Sequence, residues 1–572
     1  MTKLNKNNKA QNTTPNPSNE GLGDFGVFEK ILISILALSI GLFILLPVIR
    51  LVMASFISNN GLSLSNYENI FSKNIGLLKN SVFSSALSAA FSTVLATAVA
   101  LHTVSVSRRS RKLLMSILLL TMVSPPFVNS LAYIMLYGRR GWITYSLLGL
   151  SINPYNWTGV VLMQTLSFSS LNAIFLIGMM DKVNKGLAHA ARDLGATTGK
   201  AFMDVILPLL TPGILACLLL NFIRGLADFG TPIVIGGRFN TVAAEIYMQI
   251  TAYADLSKAA TLNTLIFLPS IILFFIYRRL LGRSDILSSW SNNRASASDT
   301  LELSGLPRII ATSLSCFFFI VMLLQYICIF AGGFVKAVKG VYHFSLEHFD
   351  KVILYETSSL KRSIIYALIV GVGGALFSIV FSYYIERRKI IGRHVLDFLS
   401  TMPVMIPGTC FGIGYILAFH KPPFKLTGTA LIVILNMLFR QLPNSTKICS
   451  AAISQIPHSF EDAARDIGAG RLQILLHIIL PNLKHAFFTC FVYNFTSAMT
   501  TAGAILFLIQ PSQKIAVFRL FDAVNTGNYG VACLISTIII LVSLLVNIIV
   551  MGLTNDRRKG GRRNVFTAFK SS

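Results

Sequence analysis

Apolar runs of about 20 residues recur along the whole chain, each long enough to cross a bilayer as a helix that satisfies its own backbone hydrogen bonds. Twelve are legible. In the first part of the chain they cover 31–56, 80–106, 113–136, 157–180, 205–235 and 260–281. In the second they cover 308–331, 362–386, 394–419, 427–447, 484–509 and 531–553. The fifth and eleventh exceed what one crossing needs and are expected to be broken helices. Residues 1–30, rich in Asn, Pro and Ser with no apolar core, are expected to be a disordered tail rather than a cleaved signal. A polar linker is expected at 282–307 and a basic tail at 556–572.

Composition agrees with a membrane protein: 53% of residues are hydrophobic and 13% charged. The net charge of +26 raises the question of nucleic acid. The basic residues, however, stand at the ends of apolar spans instead of on a soluble face, so no nucleic-acid partner is expected. The clusters Arg108, Arg109, Arg111, Lys112, then Arg387, Arg388, Lys389, Arg393, then Arg557 to Arg563 fall on one side when twelve spans alternate. The positive-inside bias makes that side cytoplasmic and places both termini there. The cysteines (217, 316, 328, 410, 449, 490 and 533) form no C-x-x-C pair and read as small buried apolar residues.

The chain repeats itself. Ala190-Ala-Arg-Asp-Leu-Gly-Ala196, followed by Ile206-Leu-Pro208, recurs as Ala463-Ala-Arg-Asp-Ile-Gly-Ala469, followed by Ile479-Leu-Pro481, a shift of 273. The same shift pairs Cys217 with Cys490, Asn221-Phe222 with Asn494-Phe495, and Gly230 with Gly503. Upstream, a shift of 282 pairs Leu64, Tyr67 and Ser81 with Leu346, Phe349 and Ser363. Six spans per copy make the repeats parallel, so the expected fold class is an all-α membrane protein of about twelve helices in two parallel six-helix repeats, 31–281 and 308–555.

The repeated segment lies between the fourth and fifth spans of each copy. Ala190, Ala191 and Leu194, or Ala463, Ala464 and Ile467, would put small and apolar side chains on one face of a short helix suited to docking. Arg192 with Asp193, and Arg465 with Asp466, would orient a partner by charge. Gly195 or Gly468 can end the helix in a left-handed conformation, and Pro208 or Pro481 suits the first turn of the next one.

This pattern resembles the EAA loop of binding-protein-dependent ABC importer permeases. The resemblance extends over nearly the whole chain after residue 30, as two fused MetI-like (ABC transmembrane type-1) domains. It is strongest to the fused twelve-span permeases of iron(III) importers, through Ala227-Asp-Phe-Gly-Thr-Pro232 with Gly236-Gly237, Leu64-Ser-Asn-Tyr67, Leu346-Glu-His-Phe349 and Asn528-Tyr-Gly530. It implies a multi-pass protein of a bacterial inner membrane, contacted by two ABC ATPase subunits on the cytoplasmic side and an extracytoplasmic substrate-binding protein. The short helix would seat in each ATPase, and ATP and Mg would be bound by those partners; this chain itself would bind no cofactor. Transport would proceed by alternating access, with residues 188–208 and 461–481 transmitting the ATPase motion. Relatives importing aminoethylphosphonate, thiamine, polyamines or sulfate share the architecture, and an ion-gradient-driven secondary transporter is the rival class. The second copy keeps Glu461 and Asp462 at the start of the motif where the first has Ala188 and His189, which predicts unequal ATPase contacts.

Other motifs do not survive inspection. Gly195-Ala-Thr-Thr-Gly-Lys200 has one residue too few for a phosphate loop and Ala201 in place of the Ser or Thr that holds magnesium. Asp228-Phe-Gly230 lacks any His-Arg-Asp catalytic loop, and no catalytic constellation is legible. Asp228 and Arg224, four residues apart in an apolar span, read as a structural ion pair or as groups lining a pathway. Tyr342, His343, His348 and His420 are scattered over outer loops, and no metal site is assigned to them.

Overall fold

The computed structural model describes residues 27–58, 61–150, 153–181, 186–289, 305–338, 341–388, 390 and 392–568. The first half comprises α1 (Glu29–Ser55), α2 (Ile75–Ser105), α3 (Arg108–Val123), α4 (Val128–Tyr137), α5 (Trp157–Met180), α6 (Gly186–Asp193), α7 (Thr198–Ala227), α8 (Gly230–Ile235), α9 (Val242–Thr251) and α10 (Leu256–Ser289). The second comprises α11 (Gly305–Gly332), α12 (Thr357–Arg387), α13 (Arg393–Met405), α14 (Gly408–Phe419), α15 (Ala430–Ile453), α16 (Ser459–Asp466), α17 (Leu472–Asn482), α18 (Lys484–Thr500), α19 (Ala516–Asn525) and α20 (Tyr529–Ala568). A small antiparallel hairpin follows the opening helix in each half, β1 (Ile57–Ser58) with β2 (Gly61–Leu62), and β3 (Val335–Val338) with β4 (Val341–Phe344). The duplication read from the sequence is thus a duplication of structure.

Among the described residues eight helices are long and apolar enough to cross a membrane, and eleven spans result if each of three bent pairs is one crossing. The remaining expected stretch, 427–447, forms α15, whose Arg440, Gln441, Asn444 and Lys447 make it too polar to count with them. Two stretches expected to be single helices are broken: α3 meets α4 at 104° and α13 meets α14 at 115°. Proline causes both breaks. Ser124 and Ile406, the residues before Pro125 and Pro407, are driven to extended ψ values of 138° and 124°, which no helix can continue through. The fifth stretch ends as a helix at Ala227, with α8 separate from it. The eleventh opens on α18, just after a 70° bend from α17, and its helix stops at Thr500. The expected polar linker begins as helix, because α10 runs on to Ser289; residues 290–304 lie outside the described ones. Likewise α20 carries the basic tail to Ala568, whereas residues 1–26 lie outside the described ones.

Each half is built on three helices, α2 with α5 and α7, and α12 with α15 and α18. Small residues let their backbones approach, and buried amides join them. Asn221 Nδ2 donates to Ser92 Oγ at 2.6 Å in the first half, and Ser445 Oγ donates to Asn494 Oδ1 at 2.6 Å in the second. The repeated asparagine therefore joins different neighbours, α7 to α2 in the first half and α18 to α15, the counterpart of α5, in the second.

The halves exchange their opening helices. α1 lies against α14 of the second half, and α11 against α2 and α4 of the first. The Tyr415 hydroxyl donates to the Phe43 carbonyl at 2.8 Å, and the rings of Phe43 and Phe439 stack 5.0 Å apart. Gly414 makes the approach possible, since a Cβ there would stand 2.6 Å from the Pro47 carbonyl oxygen. Gly414→Val is therefore expected to prise α1 from α14 and destabilise the protein by about 1–3 kcal/mol, as overpacking does. A lowered thermal midpoint in detergent reports it, while the β3–β4 end stays intact to proteolysis.

Candidate functional site

The repeated loops adopt the same shape. In each, an eight-residue helix, α6 or α16, ends on a glycine with positive φ, +91° at Gly195 and +83° at Gly468. The chain then closes by paired bonds, Gly195 N–H to Arg192 O (2.8 Å) with Ala196 N–H to Ala191 O (3.0 Å), and Gly468 N–H to Arg465 O (2.9 Å) with Ala469 N–H to Ala464 O (2.9 Å). This closure satisfies the last helical carbonyls. A single π-helical turn follows at Phe202–Ile206 and at Leu475–Ile479, with Phe202 and Leu475 buried. Pro208 and Pro481 follow directly within α7 and α17, where the α-helical turns resume after each π-helical turn.

The exposed faces are more apolar than the sequence motif implies. Leu194 is 90% exposed and Ile467 86%, and Leu187 and its counterpart Phe460 are exposed beside them. Ala190 and Ala463 are also exposed, as are Arg192, Asp193 and Asp466. Ala464, by contrast, is buried, so it supports α16 from beneath instead of contributing to an outward docking face. Leu187 and Phe460 escaped the sequence reading because the eye follows the small residues; their equal spacing before Leu194 and Ile467 was the available signal.

Glu461 also turns inward. Its carboxylate lies 3.6 Å from Arg387 Nε at the end of α12, both side chains being about 96% buried, and 3.8 Å from Arg465. Arg387 also donates to the carbonyls of Ile453 and Ile456, closing the end of α15. The repeat registers place Ser105 and Ala188 at the matching positions of the first half, so both partners of the pair are missing there together. The first half ties α3 to the end of α5 instead, through Arg111 and Asp181 at 2.6 Å.

Deep in the bundle, Arg224 and Asp228 part company. α7 stops at Ala227 and Asp228 is extended, so the i,i+4 face is lost. Asp228 instead accepts from Gln164 Nε2 at 3.0 Å and from the backbone N–H groups of Gly230 (3.1 Å) and Thr231 (3.3 Å), opening α8. Arg224 faces a cavity of about 190 Å³ between the halves, lined on the first half by Leu220, Ile223, Arg224 and Ala227. Its second-half wall includes Pro403, Pro407, Arg440, Gln441 and Asn444. Arg440 donates to the carbonyls of Pro403 and Ile406, freed where α13 breaks, and lies 5.9 Å over the Phe411 ring. Tyr493 bridges Gln441 and Asn444. Arg440 was legible as a charge in an apolar stretch; its meeting with Arg224 depends on packing.

At the end of the bundle that carries the hairpins, away from α6 and α16, a larger cavity of about 550 Å³ opens between the halves. Arg139, Arg140, Tyr155, Lys336, His348 and Lys351 are among its lining residues. Glu347 pairs with both Lys336 and Lys351, one carboxylate against two ammonium groups. Burial pushes the Tyr155 hydroxyl above its ordinary range, nearby Tyr529 adds to this and Arg139 opposes it, so Tyr155 stays a neutral hydrogen-bonding group at physiological pH.

A helical membrane protein built twice, with one apolar-tipped loop projecting from each half and polar cavities along the plane where the halves meet, is by class a transport permease. The sequence profile of the binding-protein-dependent transport system inner membrane component family matches residues 92–284 and 374–555, once in each half, and the chain belongs to that family. It is 30% identical over 496 residues to the ferric transport system permease protein FbpB of Actinobacillus pleuropneumoniae, covering 85% of this chain and 72% of that protein. It is also 30% identical over 514 residues to the putative ferric transport system permease protein FbpB 1 of Haemophilus influenzae, covering 87% and 80%. The sulfate transport system permease protein CysT of Salmonella typhimurium is 23% identical over 202 residues, 33% of this chain and 73% of that protein.

Proposed function

We propose that this chain is the membrane permease of an ATP-driven importer whose cargo is iron(III). Its likeness at 30% identity, over most of its length, to two permeases named for ferric transport carries that substrate. Two ABC ATPase subunits would bind the cytoplasmic loops at α6 and α16, and hydrolyse ATP with Mg on their own residues. A substrate-binding protein would dock at the hairpin end and confer most of the selectivity. Both termini would then be cytoplasmic and the protein would reside in a bacterial inner membrane, in keeping with its basic clusters. The chain would contribute a two-state element that both partners bias, not chemistry of its own.

Leu194 and Ile467, with Leu187 and Phe460 exposed on the same loops, support the partner assignment, because matched apolar tips on both repeats suit burial against another protein. Vesicles containing this chain, its co-purifying ATPase and an iron-loaded carrier are expected to take up iron(III) only with ATP and both partners present. Uptake of aminoethylphosphonate or sulfate instead would replace the cargo and keep the machine. Uptake driven by an ion gradient without any ATPase would refute the importer.

A further inference from the structure

We infer that the cavity between the halves is an oxyanion site and that the cargo crosses it as an anion or as an anion-coordinated metal, not as a bare cation; this deepens the iron(III) reading and rests on it only for the metal. The cavity wall holds two guanidinium groups, Arg224 from α7 and Arg440 from α15, and among the described residues no Asp or Glu. Cys217 and the hydroxyls of Tyr277 and Tyr493 lie near Arg224, and among the described residues no carboxylate pairs with it. A charge held within a membrane-embedded bundle needs compensation. Guanidinium groups offer planar, forked donors that match phosphate and carboxylate oxygens.

The charges are not part of the repeated scaffold. The 273-residue shift sets Ser497 opposite Arg224 and Ser167 opposite Arg440, so each half adds one arginine where the other keeps a serine. The two meet only because the halves do. Arg440 spends part of its donor set on the Pro403 and Ile406 carbonyls, whereas among the described residues no hydrogen bond anchors Arg224. Gln441 and Asn444 add neutral polar groups to the same wall. A volume of about 190 Å³ exceeds several times the ~30 Å³ occupied by one water, enough for a tetrahedral oxyanion with part of its hydration shell.

An independent observation points the same way. The cavity at the hairpin end gathers Arg139, Lys336 and Lys351. Glu347 neutralises one charge of the lysine pair, and the surplus is positive. Focused positive potential at the mouth of a pathway raises the local concentration of anions and repels free cations. Among the described residues no group of three or more His, Cys, Asp or Glu side chains stands together to receive a naked metal ion.

The test is double-label uptake in vesicles holding the whole transporter, with radioactive iron and radioactive inorganic phosphate offered together and separately. Entry of both labels in fixed ratio is expected if the oxyanion rides on iron, and entry of phosphate without iron if the cargo is an oxyanion in its own right. The first result supports both readings; the second keeps the oxyanion site and removes the metal. Arg224→Gln, which preserves size, is expected to lower anion-dependent uptake roughly ten- to a hundredfold, the scale of one lost charge-assisted hydrogen bond, and Arg224→Lys to restore much of it. Gel filtration and the thermal midpoint of each variant separate lost uptake from lost folding. Iron uptake that needs no oxyanion and is unchanged in Arg224→Gln would overturn the oxyanion site while leaving iron transport standing.

Discussion

Aspartate in place of Ile467 is expected to abolish ATP-driven uptake while the protein still inserts and folds. Ile467 is 86% exposed at the end of α16, so the substitution removes no core contact. If that side chain seats in an ATPase groove, a charge there must be desolvated without a partner, which costs more than the contact was worth. Loss of roughly tenfold or more in uptake, with the partner ATPase retained less well on purification, is the outcome that fits. Leu194→Asp tests the first half in the same way, since Leu194 occupies the same place at the end of α6, just before Gly195. Full coupled transport in both variants would show that the tips of the loops do not carry the contact.

The second large effect concerns the support of α16 and not its face. Glu461→Ala leaves Arg387 buried beside an empty place, and removing one member of a buried ion pair costs about 3–5 kcal/mol. Much of that cost is expected to appear locally, as faster hydrogen exchange and proteolysis around residues 459–470, because α16 is short and leans on this pair. The first-half loop should be unchanged, since Ser105 and Ala188 stand at its matching positions. If the two loops exchange equally fast before and after the substitution, the ion pair is not what holds α16. The unequal motifs are thus expected to differ in how firmly each loop is mounted.

The architecture was largely legible in the sequence because membrane helices and a duplicated register are both one-dimensional signals. Gly195 and Gly468 stand where their backbone preferences require. What escaped has particular causes. The breaks before Pro125 and Pro407 were hidden inside apolar stretches, and hydropathy averages over the very residue that ends the helix. Glu461 looked like a partner contact because a charge at a loop is ordinarily solvated; only the return of Arg387 from 74 positions earlier buries it. Arg224 and Asp228 looked like a pair because helical periodicity was extended one residue too far. The meeting of Arg224 with Arg440, 216 positions apart, has no local signature at all.

The exchange of opening helices has a consequence for how the molecule is made. α1 finishes at Ser55, and its neighbour α14 begins at Gly408. A ribosome adding about 5–20 residues per second needs roughly twenty to seventy seconds to bridge that interval. Throughout it, the Phe43 carbonyl and the groove beside Pro47 wait in lipid for Tyr415 and Gly414. A truncated chain that stops after the first half keeps α1 in that unfinished state for good. Synthesis as one continuous chain ensures that the missing neighbour arrives from the same ribosome.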